Sequence, residues 1–182
     1  MSVSLDGYIE SIQGDLNWAF PDAEIHRHFN ELERHFDISF YGRRLYENMA
    51  AFWPTADENP NSTDYEIEFA RIWKEQKKIV FSKTLSQVGW NSTLFKGDIG
   101  EEVKRLKAQP GRDMSVGGAN LAATFMHLDL IDEYRLYIRP VILGGGKRMF
   151  PALDQKIKLV LTENYTFGSG VVLLAFVNKS AT

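Results

Sequence analysis

Met114-Ser-Val-Gly-Gly-Ala-Asn-Leu is the stretch of this chain best suited to chemistry. A short apolar strand pattern breaks at Gly117-Gly118, and a helical pattern begins at once with Ala119 and Asn120. Glycine lets a ligand approach the backbone closely, and a helix start offers free N–H groups and the positive end of the peptide dipoles. Phosphate or pyrophosphate suits such a junction; the alternative is a tight turn that needs glycine for geometry alone. Gly42-Arg-Arg-Leu-Tyr-Glu is a second strand-to-helix junction, with Arg43 and Arg44 opening the helix. Guanidinium forks match phosphate oxygens in pairs. Cations are disfavoured beside a positive helix end unless an anion joins them, although nearby carboxylates would also serve. Phe81-Ser-Lys-Thr ends a third strand and contributes Ser82 and Lys83, a weaker signal.

Proton transfer needs an acid whose pKa is raised, and desolvation beside aromatic rings raises a carboxyl. Asp6, Asp15, Asp22 and Glu24 lie near Trp18 and Phe20 in sequence. Asp22 is the catalytic candidate, with Trp18 and Phe20 forming the substrate pocket; a helix N-cap is its competing role. Other chemistries fall away. The glycines miss the G-x-G-x-x-G spacing, and Gly144-Gly-Gly-Lys-Arg misses the P-loop spacing. With no cysteine there are no disulfides, thiolate metal sites or cysteine nucleophiles. His26, His28, His35 and His127 come without a second ligand cluster and read as solvated helix residues, so no metal is expected.

The elements that must position these residues follow from periodicity. The 182 residues, 44% hydrophobic and 25% charged, read as one globular domain over 1–182. A net charge of -3 argues against nucleic-acid binding. No leader pattern and no 18-residue apolar window are visible, so a soluble cytoplasmic protein is expected. Helices are predicted over Asp22 to His35, over Arg43 to Phe52 with Trp53-Pro54 as the stop, around Tyr65 to Trp73, from Ile99 to Leu106, and over Ala119 to Leu128. Strands are predicted at Asp37 to Tyr41, Lys78 to Ser82, Trp90 to Phe95, Asp113 to Val116, Glu133 to Pro140, Lys156 to Thr162 and Val171 to Val177. Alternating strands and helices with a hairpin tail predict an α/β fold: a mixed, mainly parallel sheet with helices on both faces. The tail is apolar on both strand faces, which predicts a homodimer.

Taken in order, Ser4-Leu-Asp-Gly-Tyr-Ile, Gly42-Arg-Arg-Leu-Tyr-Glu, Val80-Phe-Ser-Lys-Thr, Val116-Gly-Gly-Ala, Asp132-Glu-Tyr-Arg-Leu and Pro140-Val-Ile-Leu-Gly-Gly-Gly-Lys form a connected set. The set resembles the dihydrofolate-reductase-like family that includes the C-terminal reductase domain of the bifunctional riboflavin-biosynthesis deaminase-reductase. The resemblance implies a three-layer α/β/α fold with a C-terminal antiparallel strand pair, NADPH as cofactor and hydride transfer to a pterin-like or pyrimidine-like heterocycle. The implied activity is related to dihydrofolate reductase and to 5-amino-6-(5-phosphoribosylamino)uracil reductase. By the same resemblance Gly42, Arg43, Arg44, Ser82 and Lys83 meet the cofactor phosphates. Gly117, Gly118, Ala119 and Asn120 form the pyrophosphate turn, and Ser4 to Tyr8, with Ser4 and Asp6, line the nicotinamide. Leu45 stands where the family carries Thr and is expected to face the ligand. Met1-Ser-Val-Ser leaves a shorter first strand than the family's. A non-catalytic nucleotide-binding protein on this fold is the alternative.

Overall fold

Strands buried on both faces carry near-continuous apolar runs rather than alternation. Such runs build β3 (Ile38–Gly42) and β4 (Lys77–Phe81), whose residues are almost all buried. The computed structural model describes residues 1–179. With β5 (Ser92–Phe95) and β6 (Met114–Gly117), these strands form a four-stranded, wholly parallel sheet of order β5-β4-β3-β6. Parallel strands need crossovers, supplied here by α2 (Arg43–Ala56), α3 (Asp64–Glu75) and α4 (Ile99–Lys107). The chain steps from β3 to β4 to β5 in one direction, then returns to place β6 on the other side of β3. The order therefore reverses between β3 and β6. This unit spans residues 25 to 122 and includes most of α1 (Ala23–Glu33) and the start of α5 (Ala119–His127).

One face of this sheet carries Tyr41 and Val80, which pack with Tyr46, Phe69 and Trp73 of α2 and α3. The same face carries a polar row, because Ser39 is in register with both Lys78 and Ser115. The Ser115 hydroxyl donates to Ser39 Oγ at 2.9 Å. Lys78 is fully buried, and its ammonium donates to the carbonyls of Trp73 (2.5 Å) and Gln76 (2.6 Å), capping the end of α3. Phe40, Phe81 and Phe95 make successive ring contacts at 5.7 and 5.6 Å.

The second unit joins residues 1–24 to the stretch from Ala123 onward. Its sheet has the order β1-β7-β10-β9, from β1 (Ser2–Ser4), β7 (Glu133–Arg139), β9 (Leu159–Thr166) and β10 (Val172–Asn178). The β1/β7 pair is parallel and the pairs made by β10 are antiparallel, so the expected C-terminal antiparallel pair is present. Val171, Leu173, Ala175 and Tyr137 are core residues here. A separate antiparallel ribbon, β2 (Tyr8–Glu10) with β8 (Lys147–Arg148), is absent from the sequence reading. A Cβ on Gly146 would collide with the Glu10 carbonyl, so glycine permits this ribbon's close approach.

Three expectations are corrected. Helix α2 does not stop at Trp53 but runs through Pro54 to Ala56. In the last turn a proline forfeits only one backbone hydrogen bond, and Pro54 is buried. Strand β9 begins at Leu159 rather than Lys156 and extends to Thr166. His26 is not solvated: it is buried, with its ring 4.9 Å from Tyr65, 5.6 Å from Phe69 and 5.8 Å from Trp53.

Candidate functional site

Ligands of open parallel sheets bind at the carboxyl ends of the strands, where the strand order reverses. In the parallel sheet that place lies between β3 and β6. There β3 runs into α2 through Gly42, and β6 runs into α5 through Gly117 and Gly118. Gly118 has φ +86°, a conformation that favours glycine. A Cβ built there would meet only Leu45 atoms, the nearer at 3.5 Å, so the turn's backbone is otherwise open. Ala119 is buried and Asn120 exposed.

The helices differ in how they meet their own positive ends. Helix α1 has Glu24 in its first turn, α3 has Asp64 and Glu66, and α4 has Glu101 and Glu102, with Asp98 accepting the Glu101 N–H at 2.8 Å. Helices α2 and α5 have no acid in the first turn, and the Gly42 cap offers α2 no side-chain oxygen. Instead α2 opens with exposed Arg43 and Arg44. The Arg43 guanidinium reaches Thr84 Oγ1 at 3.4 Å and lies 3.9 Å from a Glu47 carboxylate oxygen. Contact with Thr84 links the β3 junction to the β4 junction.

At that β4 junction, Ser82 is buried and its hydroxyl accepts the N–H groups of Thr84 (3.2 Å) and Leu85 (3.1 Å). Ser82 therefore shapes its own loop, and the exposed Lys83 supplies the charge. Leu45, read as ligand-facing, is half-buried among Tyr41, Tyr46, Phe69 and Val80, and its side chain fills the space where a Gly117 Cβ would stand. The structure thus gathers Gly42, Arg43, Arg44, Ser82, Lys83, Gly117, Gly118, Ala119 and Asn120 along one sheet edge.

The remaining candidates belong to the other unit. Ser4 ends β1, and its hydroxyl donates to Asp6 at 2.7 Å. The Asp6 carboxylate also accepts the N–H groups of Leu143 (3.1 Å) and Gly144 (2.8 Å). Chiefly the Ser4 hydroxyl, then these N–H groups, hold Asp6 below the usual carboxylate range. Asp6 is an anchor for the glycine-rich loop after β7. Trp18 lies in a single 3-10 turn (Asn17–Ala19), Phe20 is exposed, and Asp22 is exposed just before α1.

Sequence reasoning missed Arg139. It is buried at the end of β7 and donates to the carbonyls of Ala19 (2.9 Å) and Phe20 (3.2 Å), fixing the segment that carries Trp18. Burial pulls its pKa down, while the charge of Asp22 acts in the opposite direction. An arginine in an otherwise apolar strand pattern was the available signal. Among the described residues no cluster of three or more His, Asp or Glu side chains is placed to hold a metal.

Comparison with known proteins joins these features. The RibD C-terminal domain family matches residues 1–173. Protein YyaP of Bacillus subtilis (strain 168), itself uncharacterized, is 36% identical over 177 residues, covering 97% of this chain and 91% of YyaP. A putative riboflavin biosynthesis protein from Shewanella sp. PV-4 aligns with TM-score 0.77 at 22% identity, covering 98% of this chain and 96% of the other. Dihydrofolate reductase from Enterococcus faecalis, complexed with NADP(H), aligns with TM-score 0.64 at 14% identity, covering 98% and 93%. Both structural likenesses show a dihydrofolate-reductase-like α/β fold. With a match over nearly its whole length, the chain belongs to the RibD C-terminal domain family.

Proposed function

We propose that this protein is an NADPH-dependent reductase that delivers hydride to a small pterin-like or pyrimidine-like heterocycle. Its relatives support a reductase-type function. The observation that carries the cofactor reading is the edge between β3 and β6, where an open Gly117-Gly118 turn and an uncapped, basic α2 start converge. The donor set fits a dinucleotide phosphate: backbone N–H groups at Gly118 to Asn120 for the pyrophosphate, and Arg43, Arg44 and Lys83 for the additional phosphate of NADPH. When bound, the nicotinamide supplies the hydride. The protein's part is to hold the phosphates and orient the rings. Asp22 is the proposed proton donor, and Trp18 and Phe20 belong to the proposed substrate pocket, with Ser4 and Asp6 at the nicotinamide end.

Each charge-assisted bond to the extra phosphate contributes roughly 1.5–3 kcal/mol. NADPH should therefore bind at least about tenfold more tightly than NADH in titrations that follow tryptophan fluorescence. Equal affinities count against the reading. Cofactor oxidation with pterin and pyrimidine acceptors tests the chemistry, and tight binding without turnover would favour a non-catalytic nucleotide-binding protein. The proposal includes a homodimer formed through β9 and a cytoplasmic protein that meets neither nucleic acid nor membrane. Among the described residues no helix is long and apolar enough to cross a membrane.

A further inference from the structure

Exposed apolar side chains concentrate in two places, along β9 and on the loops that leave the carboxyl ends of β1 and β7. The loop group comprises Leu5 (64% exposed), Ile12 (73%), Leu16 (44%), Phe20 (69%) and Ile142 (70%). These residues are far apart in sequence but knit together in space. The Leu5 N–H donates to the Val141 carbonyl at 2.8 Å, and Asp6 ties down Leu143 and Gly144. A Cβ on Gly145 would lie 2.8 Å from Ile12 Cδ1, so Ile12 packs on the glycine loop. Arg139 clamps the Ala19 and Phe20 carbonyls. Exposed apolar groups on a tightly bonded frame mark a binding surface rather than a frayed loop.

The charges of this frame are already engaged. Asp15 accepts the Ser11 hydroxyl at 2.6 Å and the Asn17 N–H at 3.1 Å. Arg139 faces backbone carbonyls, and the Arg148 guanidinium lies 5.5 Å from the centre of the Tyr8 ring. Two buried donors in the same frame, Trp18 Nε1 and Arg139 Nε, have no hydrogen-bond partner. A buried polar group without a partner calls for an explanation, and a ligand acceptor is one.

We infer that this loop cluster selects an uncharged, ring-bearing substrate with a hydrogen-bond acceptor, and discriminates against the same ring carrying a negative charge. The inference rests on the reductase reading and narrows it to a substrate class: the chain's anion-binding groups serve the cofactor, while this surface grips an apolar ring face. Aromatic and aliphatic side chains hold flat rings by area and stacking, with polar groups fixing orientation.

The test uses 6-methylpterin and pterin-6-carboxylate, which share a ring and differ in charge, followed by their own fluorescence anisotropy on the full-length protein without NADPH. The neutral pterin should bind roughly tenfold or more tightly than the carboxylate. The double substitution Phe20→Ser/Ile142→Ser should weaken neutral-pterin binding by a similar factor, with the melting temperature and NADPH affinity unchanged. The control Leu128→Ser should change nothing. Tighter or equal binding of the carboxylate, binding of neither pterin at millimolar concentration, or wild-type affinity in a folded double variant would each overturn the inference. Should the double variant not fold, the neutral-to-charged ratio in the wild type decides alone. Selective binding of the neutral pterin together with failure to bind NADPH would remove the cofactor reading and leave this one standing.

Discussion

Leu45 occupies the position where a hydroxyl was expected, and its role is packing. It closes the gap left by Gly117 and joins the cluster of Tyr41, Tyr46 and Val80. Leu45→Thr should therefore lower stability by roughly 1–2 kcal/mol, through lost apolar volume and a half-buried hydroxyl. Chemical denaturation measures this, and an unchanged midpoint with tighter NADPH binding would return Leu45 to the ligand. Lys78 and Glu33 make a second residue-level case. Burial lowers Lys78 to about 8 and raises Glu33 to about 7, each opposed by the other's charge. For Glu33 the folded pKa exceeds the ordinary 4.5, so its stabilising contribution is full below that value and is lost as pH rises towards 7. For Lys78 the folded pKa lies below the ordinary 10.5, so its contribution returns as pH climbs from about 8. Each contributes up to about 3 kcal/mol. Urea midpoints should pass through a minimum near neutrality, and Glu33→Gln should flatten the acid side of the curve. A flat wild-type curve would contradict this.

At the scale of elements, the turn between β6 and α5 is the most exposed to test. Gly118→Val places a branched side chain at φ +86° and beside Leu45. It should cost about 1–3 kcal/mol of stability and reduce NADPH affinity by roughly tenfold or more. Calorimetry of the folded variant checks both, and wild-type affinity would make the turn purely structural. These junctions were legible because glycine and paired arginine at a change of period have few other reasons to occur. The strands of the parallel sheet were legible because a doubly buried strand is apolar throughout. The β2/β8 ribbon was not, since its pairing depends on a close approach at Gly146 that no local pattern announces. Nor was Pro54, because whether proline ends a helix depends on which turn it falls in. Asp6 was legible as a polar residue of the right segment, but its loop partners Leu143 and Gly144 are tertiary facts.

For the whole molecule, β9 sets the expected assembly. All its residues are exposed, it forms the edge of its sheet, and Leu159, Val160, Leu161 and Tyr165 present apolar surface. An uncovered edge of this kind invites pairing with a second chain. Sedimentation at micromolar concentration should give the mass of two chains for the wild type and one for Leu159→Lys/Leu161→Lys. A single-chain mass for the wild type would rule the pairing out. The threading of the chain has a separate outcome, in time rather than in space. Residues 25 to 122 form one uninterrupted unit, whereas the other unit begins with β1 and must await β7, with Ser2 opposite Tyr137. Contacts between distant parts of a chain form late, because the intervening loop must be closed first. On the ribosome the parallel sheet can assemble while β7 is still unmade. Pulse-labelled hydrogen exchange during refolding should find the amides of Phe40 and Val80 protected before those of Val3 and Ile138. The opposite order would mean that the two ends of the chain nucleate the fold, and that the cofactor edge forms last.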